Sequence, residues 1–167
     1  MAYQKDLKEL LKFINRAKKL EPFSCPNNTN NTGAIGIMIE KKLIPNVHKE
    51  NKSDMPMLEL KTKNIKSKGT LSLAKYTNPS NTFIRTFNKV KDNLMLMYYN
   101  KIKHKIYPIK IELYSKLNKS LFAIYCKEDR RKDYINCTIS TNKLKTVYNN
   151  MITINQGETW ATHMIHK

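Results

Sequence analysis

The sequence predicts an α+β fold, a mixed sheet flanked by helices. Three observations point there: two N-terminal segments carry apolar residues at helical spacing, later segments alternate with period two, and clusters of Pro, Asn and Gly separate them. At 167 residues the chain is long enough for one hydrophobic core and short for two, so residues 1–167 read as a single domain that stops short at its C-terminal end if the protein continues further.

Residues 3–20 place Leu7, Leu10, Leu11, Ile14, Ala17 and Leu20 on one helical face, with Lys5, Lys8, Lys12, Arg16 and Lys19 around the rest. Residues 21–32 hold two Pro and four Asn without periodicity, a loop whose last residue, Thr32, suits a helix cap. From Gly33, the residues Ile35, Ile37, Met38, Ile39, Leu43 and Ile44 predict a mostly buried helix that stops at Pro45, carries one acid, Glu40, and uses Gly33 and Gly36 for close backbone approach. Residues 56–63 set Met57, Glu59 and Lys61 against Leu58, Leu60 and Thr62, the alternation of a strand. Residues 70–76 repeat it with Leu71 and Leu73 inward, and the turn-prone Lys-Ser-Lys-Gly between them predicts a hairpin. The chain then turns at Asn78-Pro79 into a short helix or extended stretch. A second hairpin is expected over 106–127, and residues 141–151 return to helical spacing through Leu144, Val147, Tyr148 and Met151.

Composition narrows the function classes. Lys plus Arg number 31 against 13 Asp plus Glu, a net charge of +18, which selects polyanionic partners ahead of acidic surfaces and small neutral ligands. Apolar residues at 40%, with nine Tyr and five Phe, exclude a disordered basic tail. The 27 Lys and 19 Asn are also what AT-rich coding produces, so part of the charge is open to that explanation. Cys25, Cys126 and Cys137 are odd in number and lack C-x-x-C spacing, which reads as packing residues in a reduced compartment. With no signal segment and no apolar run longer than that near 94–99, a cytoplasmic protein away from membranes is expected.

The chemically informative stretch is Asp54-Met-Pro-Met-Leu-Glu59-Leu-Lys61. On a strand, Glu59 and Lys61 project from one face, and a bend just before it can swing Asp54 toward Glu59. Two carboxylates from separate backbone positions suit Mg²⁺, which keeps several waters and takes further ligands from phosphate. A nearby Lys can orient or deprotonate the attacking water. The bland alternative stays open on these residues alone, because Glu-Leu-Lys in a Lys-rich chain is more often a solvated sheet face.

Three blocks, Asn31-Thr-Gly-Ala-Ile-Gly-Ile-Met-Ile-Glu40, Asp54 to Thr62, and Thr70 to Arg85, occur in an order and spacing that resembles the MutH-like branch of PD-(D/E)XK nucleases, and within it the MvaI/BcnI type of restriction endonuclease. The resemblance is close over residues 30–90 and loose over 100–155. It implies a restriction-endonuclease-like fold and Mg²⁺-dependent hydrolysis of double-stranded DNA at a short site by a monomer, with Mn²⁺ a substitute metal. By motif position it implies Asp54 and Glu59 as metal ligands, Lys61 as the residue that positions water, Glu40 as a supporting helix-borne acid, and Arg85 as a DNA contact. Such enzymes continue further and supply an additional histidine; His163 and His166 match no block and stay unassigned. Arg130, Arg131 and Lys132 beside Glu128, Asp129 and Asp133 read as a solvated charge cluster, with phosphate contact as the alternative. The rival to the enzyme is a basic nucleic-acid-binding protein without catalysis, or an inactive nuclease remnant.

Overall fold

The computed structural model describes residues 2–25, 32–43, 58–67 and 69–155. The first helix, α1 (Ala2–Lys18), forms where the apolar stripe lies: Leu10, Phe13, Ile14 and Ala17 are buried, while Lys8, Lys12 and Arg16 stay exposed. A two-residue strand, β1 (Phe23–Ser24), follows within the expected loop. The second helix, α2 (Thr32–Leu43), buries Ile35, Ile39 and Leu43 at fourfold spacing but leaves Ile37 exposed, so it is one-sided rather than buried all round. The Arg16 guanidinium donates to the Leu43 carbonyl at 2.8 Å, which satisfies one of the orphan acceptors at the end of α2.

The chain then enters β2 (Glu59–Asn64), β3 (Thr70–Tyr76), α3 (Thr82–Val90), β4 (Asn93–Ile102), β5 (Lys105–Leu117), α4 (Lys119–Tyr125), β6 (Lys127–Arg130), β7 (Ile135–Ser140), α5 (Leu144–Val147) and β8 (Tyr148–Asn155). A central sheet runs β1-β5-β4-β2, with β8 also along β5, and β2 is its outermost strand among the described residues. It is mixed: β2 lies parallel to β4, with Glu59 opposite Leu94 and Lys61 opposite Leu96, and the other pairs are antiparallel. A second, antiparallel sheet runs β3-β7-β6.

Alternation along each central strand makes two cores. Leu58, Leu60, Met95, Met97, Ile111 and Leu113 pack with Ile14, Ile35 and Ile39 of the two N-terminal helices. On the opposite face Leu94, Leu96 and Tyr114 pack with Leu71, Leu73 and Ile139 of the second sheet and with Val90, Phe122 and Val147 of the short helices. Each fully buried aliphatic or aromatic side chain contributes about 1.5–3 kcal/mol, so these two layers dominate the favourable side of folding.

Two expected pairings and one expected helix differ. β2 and β3 do not form a hairpin: they lie in separate sheets, because β2 finds a parallel partner in β4 and β3 an antiparallel one in β7. The turn between them is real, with Gly69 at φ 111°, but it redirects the chain from one layer to the next. The second expected hairpin is also replaced. β5 pairs with β4, β1 and β8, and after Leu117 the chain enters a helix, started by Asn118, whose side chain accepts from the Leu121 N–H at 3.0 Å. Residues 141–151 make only one short helix, preceded by a 3₁₀ turn, before Tyr148 begins β8, where it pairs opposite Leu117. The three cysteines are unpaired thiols, Cys25 and Cys137 buried and Cys126 half-buried, and burial pushes the Cys126 thiol up to about 12. That agrees with packing residues. Among the described residues no helix is long and apolar enough to cross a membrane.

Candidate active site

The site forms at β2, the last strand of the central sheet among the described residues. Leu58 and Leu60 anchor it to the core shared with α1 and α2, which by alternation turns Glu59, Lys61 and Lys63 toward the second sheet. The sequence pattern therefore fixes which face carries the charges.

Glu59 is 1% exposed. Its Oε2 lies 3.9 Å from Lys61 Nζ on the same strand and 3.0 Å from Lys89 Nζ, which arrives from the last turn of α3. Burial and then the nearby Glu59 charge push the Tyr148 hydroxyl up, and that hydroxyl donates to the Val90 carbonyl at 2.6 Å. The end of α3 is thereby tied to the sheet beside the carboxylate.

A cleft of about 310 Å³ opens along β2, lined by Gly36 and Glu40 of α2, by Lys61 and Lys63, and by Thr70 and Ser72 of β3. It brings the expected Glu40 and Lys61 to one cavity from different elements. Gly36 lets α2 come close there: a Cβ at this position would meet Thr62 Oγ1 at 3.0 Å, a tight contact that Thr62 would have to relieve by a few tenths of an ångström. A neighbouring cavity of about 580 Å³ shares Lys63 and Ser67 with the first and includes Tyr98, Glu112, Tyr114 and Lys145. Glu112 is buried and accepts from the Tyr114 hydroxyl at 3.1 Å. Burial, reinforced by that carboxylate, pushes the Tyr98 and Tyr114 phenols up, whereas burial pushes the Lys63 ammonium down.

Arg85 is placed differently from the cleft residues. Its guanidinium lies 4.1 Å from the centre of the Tyr76 ring and donates to the Asn78 and Ser80 carbonyls at 3.1 and 3.3 Å, which staples the Asn-Pro turn to α3. Arg131 pairs with Asp129 at 2.7 Å in the open, as a solvated charge cluster does. Asp54, His163 and His166 lie outside the described residues. Among the described residues no three His, Cys, Asp or Glu side chains gather as a metal-binding group.

Lys63, Lys89 and Glu112 were not singled out by sequence reasoning. Lys63 continues the Glu59, Lys61 alternation by one step, a readable signal. Lys89 and Glu112 reach the site only through tertiary packing.

No family model and no curated protein matches the sequence. The fold is similar to that of the restriction endonuclease MvaI in complex with its cognate DNA substrate, with a TM-score of 0.59, 12% identity, and 89% of this chain and 97% of that chain covered. The chain thus has a restriction-endonuclease-like fold, a mixed sheet flanked by helices.

Proposed function

We propose that the chain is a Mg²⁺-dependent endonuclease that hydrolyses phosphodiester bonds of double-stranded DNA at a short specific site, in the manner of a type II restriction enzyme. The observation that supports this most is the Glu59 and Lys61 pair on the outermost strand, next to a basic cleft, in a fold similar to that of an endonuclease seen with its DNA substrate.

A divalent ion fits the chemistry of this carboxylate. Glu59 Oε2 already attracts two ammonium groups, and Mg²⁺ asks the protein for only one or two carboxylates, the rest being water and phosphate. Glu59 would be one ligand, and Asp54, by its place five residues earlier, the other. When bound, the ion would acidify water and offset charge that develops on the phosphoryl group. Lys61, half-buried on the same face, would hold the attacking water by donating to one of its lone pairs, leaving the second to attack phosphorus as the ester P–O bond breaks and the departing oxygen takes up a proton. Glu40 stands on the α2 wall of the cleft, where it can accept the proton of a water that Lys61 orients. The +18 chain draws the phosphate backbone into the cleft, and Lys63 supplies a cation one β-repeat beyond Lys61.

Cleavage of plasmid DNA with Mg²⁺ present tests the reading. We expect nicking or linearisation that falls by about 10³-fold or more in Glu59→Ala and by about 10²-fold in Lys61→Ala, the scale of lost electrostatic and proton-transfer groups. DNA affinity should stay similar or rise in Glu59→Ala, since an anion facing phosphate is removed. One observation favours the rival of a basic DNA-binding protein without catalysis: Glu59 is compensated by two lysines, as a purely structural ion pair would be. Salt-sensitive binding with no metal-dependent cleavage by the wild-type protein would establish that rival.

A further inference from the structure

The ammonium nearest Glu59 belongs to another element, not to its own strand. Lys89 Nζ stands 3.0 Å from Glu59 Oε2, closer than Lys61 at 3.9 Å, and its side chain is 12% exposed against 1% for the glutamate. Resting on the metal-dependent reading above, we propose that Lys89 is a resident counter-cation of Glu59, which a divalent ion must displace in order to bind.

The geometry carries this in three steps. A carboxylate oxygen that ligates Mg²⁺ does so at about 2.0–2.1 Å, so the ion and an ammonium in contact with the same oxygen would face each other as like charges at short range. Holding both on Oε2 is disfavoured. The backbone of α3 is unable to yield easily, because the Tyr148 hydroxyl holds the Val90 carbonyl and because Thr86, buried, bonds to the Tyr76 hydroxyl at 3.0 Å and to the Thr82 carbonyl at 2.8 Å. The exchange therefore falls to the Lys89 side chain, whose four-carbon stem has the rotamers to swing its ammonium toward solvent. Lys61, farther from the oxygen and more exposed, can stay. In this arrangement Lys89 keeps a nine-tenths-buried carboxylate compensated while no metal is bound, at the cost of weaker metal affinity. It is a positioning residue and touches no reacting atom.

Calorimetric titration of Mn²⁺ into the DNA-free full chain tests the proposal, with wild type, Lys89→Met and Lys89→Gln, each also combined with Glu59→Gln. Lys89→Gln keeps a polar side chain at the carboxylate in case Lys89→Met folds poorly, and near-ultraviolet circular dichroism reports that both retain native packing. Removing the competing charge should tighten Mn²⁺ binding by about tenfold or more, and Glu59→Gln should cancel the gain. Mn²⁺ should also raise the melting temperature of the Lys89 variants more than that of wild type. Glu59-dependent binding that is equal in wild type and both Lys89 variants overturns the displacement and leaves the metal site standing. Absence of Glu59-dependent binding in every protein, the Lys89 variants included, overturns both together. A Lys89 side chain that is merely structural changes the melting temperature without moving the Mn²⁺ affinity.

Discussion

The two faces of the central sheet are made by the same strands and behave oppositely. Toward α1 and α2 the sheet presents Leu58, Leu60, Met95, Met97, Ile111 and Leu113, an apolar surface closed by Ile14, Ile35 and Ile39. Toward the second sheet it presents Glu59, Lys61, Lys63 and Glu112 among Leu94, Leu96 and Tyr114. One face is where burial is cheap. The other places charges where water is scarce and each must be balanced by a neighbour. Successive residues of β2 thus divide stability from chemistry, and a substitution's effect should depend on the parity of its position more than on its size.

The largest effect that sharpens this contrast is expected at Leu60, which is fully buried between two residues of the charged face. Leu60→Ala should lower unfolding free energy by about 3 kcal/mol through lost transfer and a residual cavity, while the folded fraction keeps its DNA affinity. Urea unfolding with a binding assay below the transition checks both. A Leu60→Ala protein of wild-type stability would break the assignment of this face to packing.

A smaller loss is expected at Gly36, where α2 meets β2. Gly36→Val must push Thr62 Oγ1 away from a contact already at 3.0 Å for a Cβ alone, and overpacking of this kind costs about 1–3 kcal/mol. Because Thr62 sits between Lys61 and Lys63, cleavage should fall further than the stability loss explains. Thermal melting beside nicking assays separates the two, and wild-type values in both would remove the reason given for this glycine.

The smallest effect has the opposite sign. Burial holds the Lys63 ammonium below its ordinary value of 10.5, so between that depressed value and 10.5 the unfolded chain holds the proton better than the folded one. Folding thus bears a penalty at neutral pH that is relieved as pH rises through the folded-state value toward 10.5. Lys63→Met should therefore be slightly more stable than wild type at pH 7, with the difference shrinking in alkaline buffer. It should also lose about one unit of salt slope in DNA binding if the ammonium meets a phosphate. Melting curves from pH 7 to 10.5 and binding at stepped salt measure each half; a variant less stable at pH 7 would contradict the first.

Much of the first half of the chain was legible because one-dimensional periodicity maps onto it directly. The stripe of α1, the Ile35 to Leu43 spacing of α2 and the Leu58, Leu60 alternation of β2 each state a face, and the face places Glu59 with Lys61. Pairing partners were not legible. Adjacency suggested that β2 joins β3, yet a period-two pattern carries no information about which sheet a strand enters, and the partner of β2 begins some thirty residues later. β4 hid for a related reason: Leu94 to Met97 are buried on both faces, so the run shows no alternation. The Leu121 to Cys126 segment has the β-branched and aromatic residues of a strand, but the Asn118 cap and the burial of Phe122 settle it as a helix. In the site, Lys89 was invisible because only the docking of α3 distinguishes it from the other lysines of the chain.

Among the described residues β2 ends its sheet, and the charges it carries bear on self-association. Sheet ends are where other chains tend to add, and proteins commonly guard them with lysine. A second molecule pairing there would bring its own charged β2 alongside Lys61 and Lys63, and like charges directly opposite disfavour the pair. The lysines that line the cleft therefore also discourage end-to-end growth of the sheet. A flexible polyanion that neutralises them without filling the cleft would lift that guard, so such polymers at low ratio should favour self-association where excess duplex keeps the molecules apart.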